Sequence, residues 1–428
     1  MSQERLNAFC ASKLDELDNK GILKGRERII TRIVAPEWIK KGWLPDANED
    51  KAFGPRYFLV GDDNPYLLMN SNSYLGLSLH PDVIAAEEKA SQNFGTGPGA
   101  VRFISGTFTP HIELENKLAA FHQRESAMIF SAAYATVMGV LPPLIDDKTL
   151  VISDELNHNS IINAIRLSHP AQKAIYKHLD LNNLEQILSV HASSKENAAT
   201  QKIRRVLVVT DGIFSMRGDH APLNSILEIC QQHEKRYAEG IITIVDDSHG
   251  IGAFGETGRG TEEYTHCQAD ILIATLGKAL GVNGGYVVAS KPVIDYLREI
   301  SPFYVYSNPI TPSEALAAKK SLDILDSSEG LARLKKIRSL TSHFKSGLID
   351  LGFETISGEH PIAPLVVRNT QKTSRLIRHL FDNKIIATGL NYPVVPLGDE
   401  EIRFQINANH TKLDIDQVLK ILQNSDYA

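Results

Sequence analysis

The chain has 428 residues, a formal net charge of −6, 43% hydrophobic and 22% charged residues. That length supports a large core and two domains, and the acidic balance without a basic block argues against nucleic acid as a partner. Cys10, Cys230 and Cys267 are scattered without CxxC spacing, so neither a disulfide framework nor a zinc or other metal site is expected. Residues 1–24 read as a helix with Leu6, Phe9, Leu14 and Leu17 on one side, stopping near Gly21. It lacks the apolar core of a signal peptide, and no run approaches membrane-spanning length, so the expected compartment is the cytoplasm. Residues 33–65 read as an irregular segment holding Trp38 and Trp43 among Pro36, Pro45, Pro55 and Pro65. It is too apolar for a free linker and is expected to pack on the body or on a second subunit.

A short strand, Tyr66 to Met69, leads to Asn70, and His80-Pro81-Asp82 starts a helix with proline in its first turn. The glycine-dense stretch Gly95 to Thr107 suggests backbone close to a ligand, or a plain loop. Strands are predicted at 127–130, 149–152, 172–177, 204–210, 241–246, 270–274 and 285–290, with helices between most of them. The alternation predicts an α/β fold: a mainly parallel seven-stranded sheet with helices on both faces, its last strand a candidate to run antiparallel. Beyond Ser301-Pro302 the texture changes to helices over 313–351, strands near 363–368 and 401–406, and helices near 373–383 and 413–423. The division expected is 1–65 for an amino-terminal helix and arm, 66–300 for a large domain and 301–428 for a small α+β domain.

Three apolar strands end in polar residues. They are Val208 to Asp211 leading to Ser215, Ile244 to Asp246 leading to His249, and Ile271 to Ala274 leading to Thr275 and Lys278. Carboxyl ends of parallel strands are where open α/β sheets bind ligands. A lysine beside a buried strand end is costly unless its charge is offset, and an imine with an aldehyde cofactor removes that charge. Pyridoxal 5'-phosphate needs such a lysine and an acid for its ring nitrogen, which Lys278 and Asp246 would supply. Taken alone, Lys278 reads as a surface-loop lysine, His158 as a satisfied loop histidine, Ser215 as a turn residue and Arg403 as an edge-strand cation.

In combination, these segments resemble the α-oxoamine synthase family of fold-type-I pyridoxal-phosphate enzymes, which share the aminotransferase class I/II fold. The matching stretches are Asn72 to Leu77, Val101 to Thr107, Ser153 to Ser160, Thr210 to Met216, Val245 to Gly250, Thr275 to Leu280, Tyr392 to Pro396 and Ile402 to Phe404. They run in family order from about residue 66 to 425, and among members the chain is most similar to glycine C-acetyltransferases (2-amino-3-ketobutyrate CoA ligases). The resemblance implies that Lys278 holds the cofactor and removes the substrate's α-proton, that Asp246 pairs with the ring nitrogen, and that His158 stacks on the ring. It further implies that His249 and Ser215 bond the ring hydroxyl oxygen. Thr275, the amides of Ala133 and Tyr134, and Ser307 from a second subunit would hold the phosphate. Asn72 and Arg403 would grip the substrate carboxylate.

The activity so implied is condensation of a small amino acid with an acyl-CoA, in a homodimer with shared sites. The product is an α-amino-β-keto acid or its decarboxylated aminoketone. Glycine with acetyl-CoA leads, and the alternative is alanine or serine with a longer acyl-CoA, as in 8-amino-7-oxononanoate or sphingoid-base synthases. Glycine acetyltransferases usually carry serine where Ala100 stands, which bears on the choice of amino acid. The 33–65 segment is expected either to line an acyl-chain channel or to serve as a dimer-contact arm. Two other readings are an aminotransferase, which would need no thioester, and a non-catalytic scaffold, which would be expected to lack Lys278.

Overall fold

The computed structural model describes residues 2–20, 23, 27–45, 52–193, 203–392 and 395–425. Gly21, Pro393 and Val394, named above, lie outside the described residues.

The central sheet has seven strands: β4 (Ser126–Phe130), β5 (Thr149–Asp154), β6 (Gln172–Tyr176), β7 (Arg205–Asp211), β8 (Ile241–Asp246), β9 (Ile271–Thr275) and β10 (Gly285–Ala289). β1 to β3 precede it: β1 (Ile30–Val34), β2 (Arg56–Leu59) and β3 (Asp62–Leu68). Spatial order in the central sheet is β4-β10-β9-β8-β7-β5-β6. Pairings from β6 through β9 are parallel, and β10 runs antiparallel to both β4 and β9. Every residue of β5, β9 and β10 is buried, as expected for strands covered on both faces. Alternation along β9 shows this directly: Leu272 and Ala274 join one apolar cluster, Ile271 and Ile273 another. The first cluster continues into the helices Pro312–Leu325 and Ser328–Asp350, so the two parts of the chain share one core.

The carboxyl-terminal part holds β11 (Glu354–Thr355), β12 (Ile362–Val366), β14 (Thr388–Leu390) and β15 (Glu401–Gln405) in an antiparallel sheet of order β11-β12-β15-β14. One short strand, β13 (Ile385–Ile386), leaves that sheet and pairs in parallel with β3. The segment expected to be irregular therefore contains regular structure. β1, β2 and β3 form an antiparallel meander that β13 completes as a fourth strand. Every residue of β1 is exposed, so it carries no apolar alternation to reveal it. Trp38 is buried, with the Lys336 ammonium 5.0 Å from its ring centre, whereas Trp43 stays 53% exposed.

Helix Ser2–Asn19 forms as expected, but all its side chains are exposed, Leu6, Phe9, Leu14 and Leu17 included. Among the described residues no helix is long and apolar enough to cross a membrane. A side chain at Gly95, Gly97 or Gly99 would meet no atom within 4 Å, so this loop borders open space.

Candidate active site

The parallel pairing brings the carboxyl ends of β7, β8 and β9 to one edge, with Asp211 directly beside Asp246 and Asp246 beside Ile273. After β9 the chain turns through Gly277 and delivers Lys278 to the same place. A cavity there is lined by Lys278, Asp246, His158, His249, Ser215, Ala133 and Tyr134. Seven of the residues expected at the site are thus brought together.

Burial pushes the Lys278 amine down to about 8; Arg403 acts the same way, and the carboxylates of Asp246, Asp211 and Asp247 oppose it. Among the described residues the amine makes no hydrogen bond, which suits a nitrogen meant for a covalent partner. Asp246 accepts a hydrogen bond from the Ser248 backbone N–H at 3.1 Å. His158 is the N-cap of helix Asn159–Leu167, its Nδ1 lying 2.7 Å from Ser160 Oγ, and burial lowers its basicity. Its backbone N–H donates to Asp211 Oδ2 at 3.0 Å, tying the imidazole loop to the sheet edge. His249 Nδ1 sits 2.7 Å from the Tyr74 hydroxyl; burial, aided by the Lys278 charge, holds this histidine neutral.

Helix Ala133–Leu144 begins at the cavity with no side-chain cap on its first amides. Gly285 allows that approach, since a Cβ there would lie 2.7 Å from Ala133 N. Uncapped amides at a helix start carry partial positive charge and favour an anion such as phosphate.

Arg403 and Asn72 stand one layer out. Arg403 Nη1 donates to the Ser215 carbonyl at 2.7 Å, while its buried Nε has no partner among the described residues. Asn72 Oδ1 accepts from Gln405, which lies on the same face of β15 as Arg403, so the two expected carboxylate ligands belong to one assembly. Thr275 and Ser307 do not line this chain's own cavity, Ser307 being the residue expected from a second subunit. Thr275 Oγ1 is spent on the turn, donating to Gly284 O at 3.1 Å and accepting from Gly277 N at 3.0 Å. Ser307 lies outside the cavity, its hydroxyl directed at its neighbour's carbonyl, Asn308 O, at 3.4 Å.

Asp211, Ser160 and Ser248 also line the cavity and were not assigned from sequence. Burial and the neighbouring Asp246 push the Asp211 carboxyl up. Its signal was its place at the end of β7, level with Asp246. Ser248 Oγ is buried with no partner among the described residues.

The donor set fits the cofactor inferred above. A free amine, a strand-end carboxylate and an uncapped helix start suit an aldehyde, a pyridine nitrogen and a phosphate respectively.

Residues 64–422 match the family Aminotransferase class I and II. The chain is 36% identical over 417 residues to 8-amino-7-oxononanoate synthase of Thermoanaerobacter pseudethanolicus, covering 97% of this chain and 96% of that protein. It is 38% identical over 355 residues to the enzyme of the same name from Petrotoga mobilis, covering 82% and 86%. In three dimensions it is similar to Sphingomonas wittichii serine palmitoyltransferase, with a TM-score of 0.82 over 98% of this chain and 96% of that one; at 23% identity this speaks to fold alone. The chain belongs to the aminotransferase class I and II family, and within it to the α-oxoamine synthases.

Proposed function

We propose that this α-oxoamine synthase joins alanine, or another small amino acid, to an acyl thioester longer than acetyl and releases the free thiol. The relatives support the longer-chain pairing over glycine with acetyl-CoA. Both are named for 8-amino-7-oxononanoate, a nine-carbon acid with amine and ketone on adjacent carbons. One observation carries the reading: Lys278 and Asp246, from adjacent strand ends, share a cavity with His158.

Pyridoxal 5'-phosphate is the cofactor, and when bound it supplies an electron sink for the carbanion formed at the amino acid's α-carbon. Lys278, Asp246, His249, Ser215 and the Ala133 and Tyr134 amides would hold it. The Lys278 amine, about half unprotonated near pH 8, is placed to take the α-proton. The Asp246 carboxylate would pair with the cofactor's ring nitrogen and favour its protonated form, each pKa unit there being worth about 1.4 kcal/mol. Arg403 and Asn72 orient the amino acid's carboxylate, and His158 steers the thioester. A carbon–carbon bond forms at the thioester carbonyl, the carbon–sulfur bond breaks, and the thiolate leaves to take a proton.

Two copies share the site in this reading, Ser307 of each reaching the other's phosphate end. The large exposed apolar side chains Phe103, Ile104 and Tyr306 support such an interface.

The test is a matrix of glycine, alanine and serine against acetyl-CoA and medium- and long-chain acyl-CoAs, read by free-thiol release. The expected result is a kcat/KM at least about tenfold higher for a longer acyl group, some 1.4 kcal/mol. A strict preference for acetyl-CoA would contradict it, and amino-group transfer to a keto acid without thiol release would mark an aminotransferase.

A further inference from the structure

A cavity of about 670 Å³ lies apart from the condensing site and shares no lining residue with it. One wall is a single face of helix Ser328–Asp350, on which Arg338, Ser342, Lys345 and Ser346 recur at helical spacing. The remaining walls come from the loop after β8 and from Thr355 to Glu359. Lys345 is only 7% exposed. Its amine donates to the carbonyls of Gly358 at 2.8 Å and His360 at 3.2 Å, leaving a third N–H unspent among the described residues. Burial pushes this amine down to about 8, so near neutral pH it keeps most of its charge. Arg338 donates through Nη2 alone, to the carbonyls of Gly255 and Glu256, so its Nη1 and Nε have no partner among the described residues. Glu256 and Glu359 also line the cavity but are exposed, and among the described residues neither forms an ion pair with Lys345 or Arg338. A buried cation answered only by carbonyls is costly, and an anion placed beside it offsets that cost. The hydroxyls of Ser342, Ser346 and Ser357 are likewise without a hydrogen bond among the described residues, and Thr355 Oγ1 is buried without one.

We propose that this cavity binds a phosphate monoester of a small polyol or sugar, with Arg338 and Lys345 holding the phosphate and the serine and threonine hydroxyls holding the hydroxylated body. A guanidinium with two free donor positions matches the oxygens of a phosphate, and the ammonium adds a point charge. Hydroxyl side chains both donate and accept, which suits a ligand whose own hydroxyls do the same. The assignment does not depend on the condensation reading, since no residue is common to the two cavities. His360 stands between them: its carbonyl accepts from Lys345, and its Nε2 lies 2.9 Å from the His249 carbonyl. A bound phosphate would therefore sit a short hydrogen-bonded chain away from the cofactor's histidine.

The test is isothermal titration calorimetry of the cofactor-loaded protein with glucose 6-phosphate, inorganic phosphate and glucose, the cofactor keeping its own phosphate site filled. The expected result is a Kd of about 1 mM or tighter for glucose 6-phosphate. Inorganic phosphate should bind at least about tenfold more weakly, for want of the hydroxyl contacts. Glucose alone should show no saturable binding. Arg338→Gln and, separately, Ser342→Trp are each expected to weaken glucose 6-phosphate at least about tenfold. The visible cofactor band should be unchanged in both, because neither residue lines the condensing cavity. Should Arg338→Gln fail to fold, Ser342→Trp, at an exposed position, decides alone. Absence of saturable binding, a different order among the three ligands, or affinity that survives either substitution overturns the proposal.

Discussion

Replacing Lys278 with alanine is expected to lower thiol release by at least about 10⁴-fold, the upper range for loss of a general base, because attachment of the cofactor is lost as well. Lys278 reaches the cavity from the turn after β9, and its amine has no hydrogen-bonding role that alanine would disrupt. Far-ultraviolet circular dichroism should therefore be unchanged while the visible band of covalently held cofactor disappears. Lys278→Arg separates charge from chemistry. Its guanidinium keeps the positive charge but stays protonated, so it can neither form an imine nor accept a proton at neutral pH. Activity within tenfold of the unaltered enzyme in either variant would refute the assignment.

The largest expected effect on stability lies elsewhere, at Glu115 in helix Thr109–Phe121. Its carboxylate is 4% exposed and holds Arg102 by paired bonds of 3.1 Å and Arg298 at 2.9 Å. It also accepts the Ile129 N–H of β4 at 3.1 Å, so one side chain joins a helix, a loop and the sheet. The ring of Tyr304 lies 5.5 Å from the Arg102 guanidinium and 5.6 Å from that of Arg298. Glu115→Ala leaves two guanidinium groups without their acid, and breaking a buried pair in this way costs about 3–5 kcal/mol. Urea unfolding should show a midpoint shift of that size. Replacing the whole trio by apolar residues should cost less, since the unpaired charge is then removed too. A Glu115→Ala shift below about 1 kcal/mol would mean that water reaches and solvates the arginines.

The sequence-level view of this region was incomplete for a physical reason. Arg102 stands in a family-like stretch, but its partner Glu115 is 13 positions on, and Arg298 comes from a helix that nothing local connects to either. The central strands were readable because strands buried on both faces are apolar at consecutive positions, and all seven fall within about a residue or two of their expected bounds. Lys278, Asp246 and His249 were readable because each follows such a strand closely. Asp211 was visible at the same edge, but its role as acceptor for the His158 amide emerges only from the pairing of β5 with β7. The β1–β3 meander escaped notice because exposed β1 lacks alternation and β13, its last partner, lies more than three hundred residues further on. A cavity beside the active site is assembled from residues 155–159, 214–217 and 395–401, three stretches whose proximity exists only in the fold.

The most direct test of the central claim is borohydride reduction of the cofactor-loaded protein followed by peptide mapping. The expected result is the phosphopyridoxyl mass on the peptide containing Lys278 and on no other. The same mass on a different lysine, or on none, would contradict the placement of the cofactor between Lys278 and Asp246.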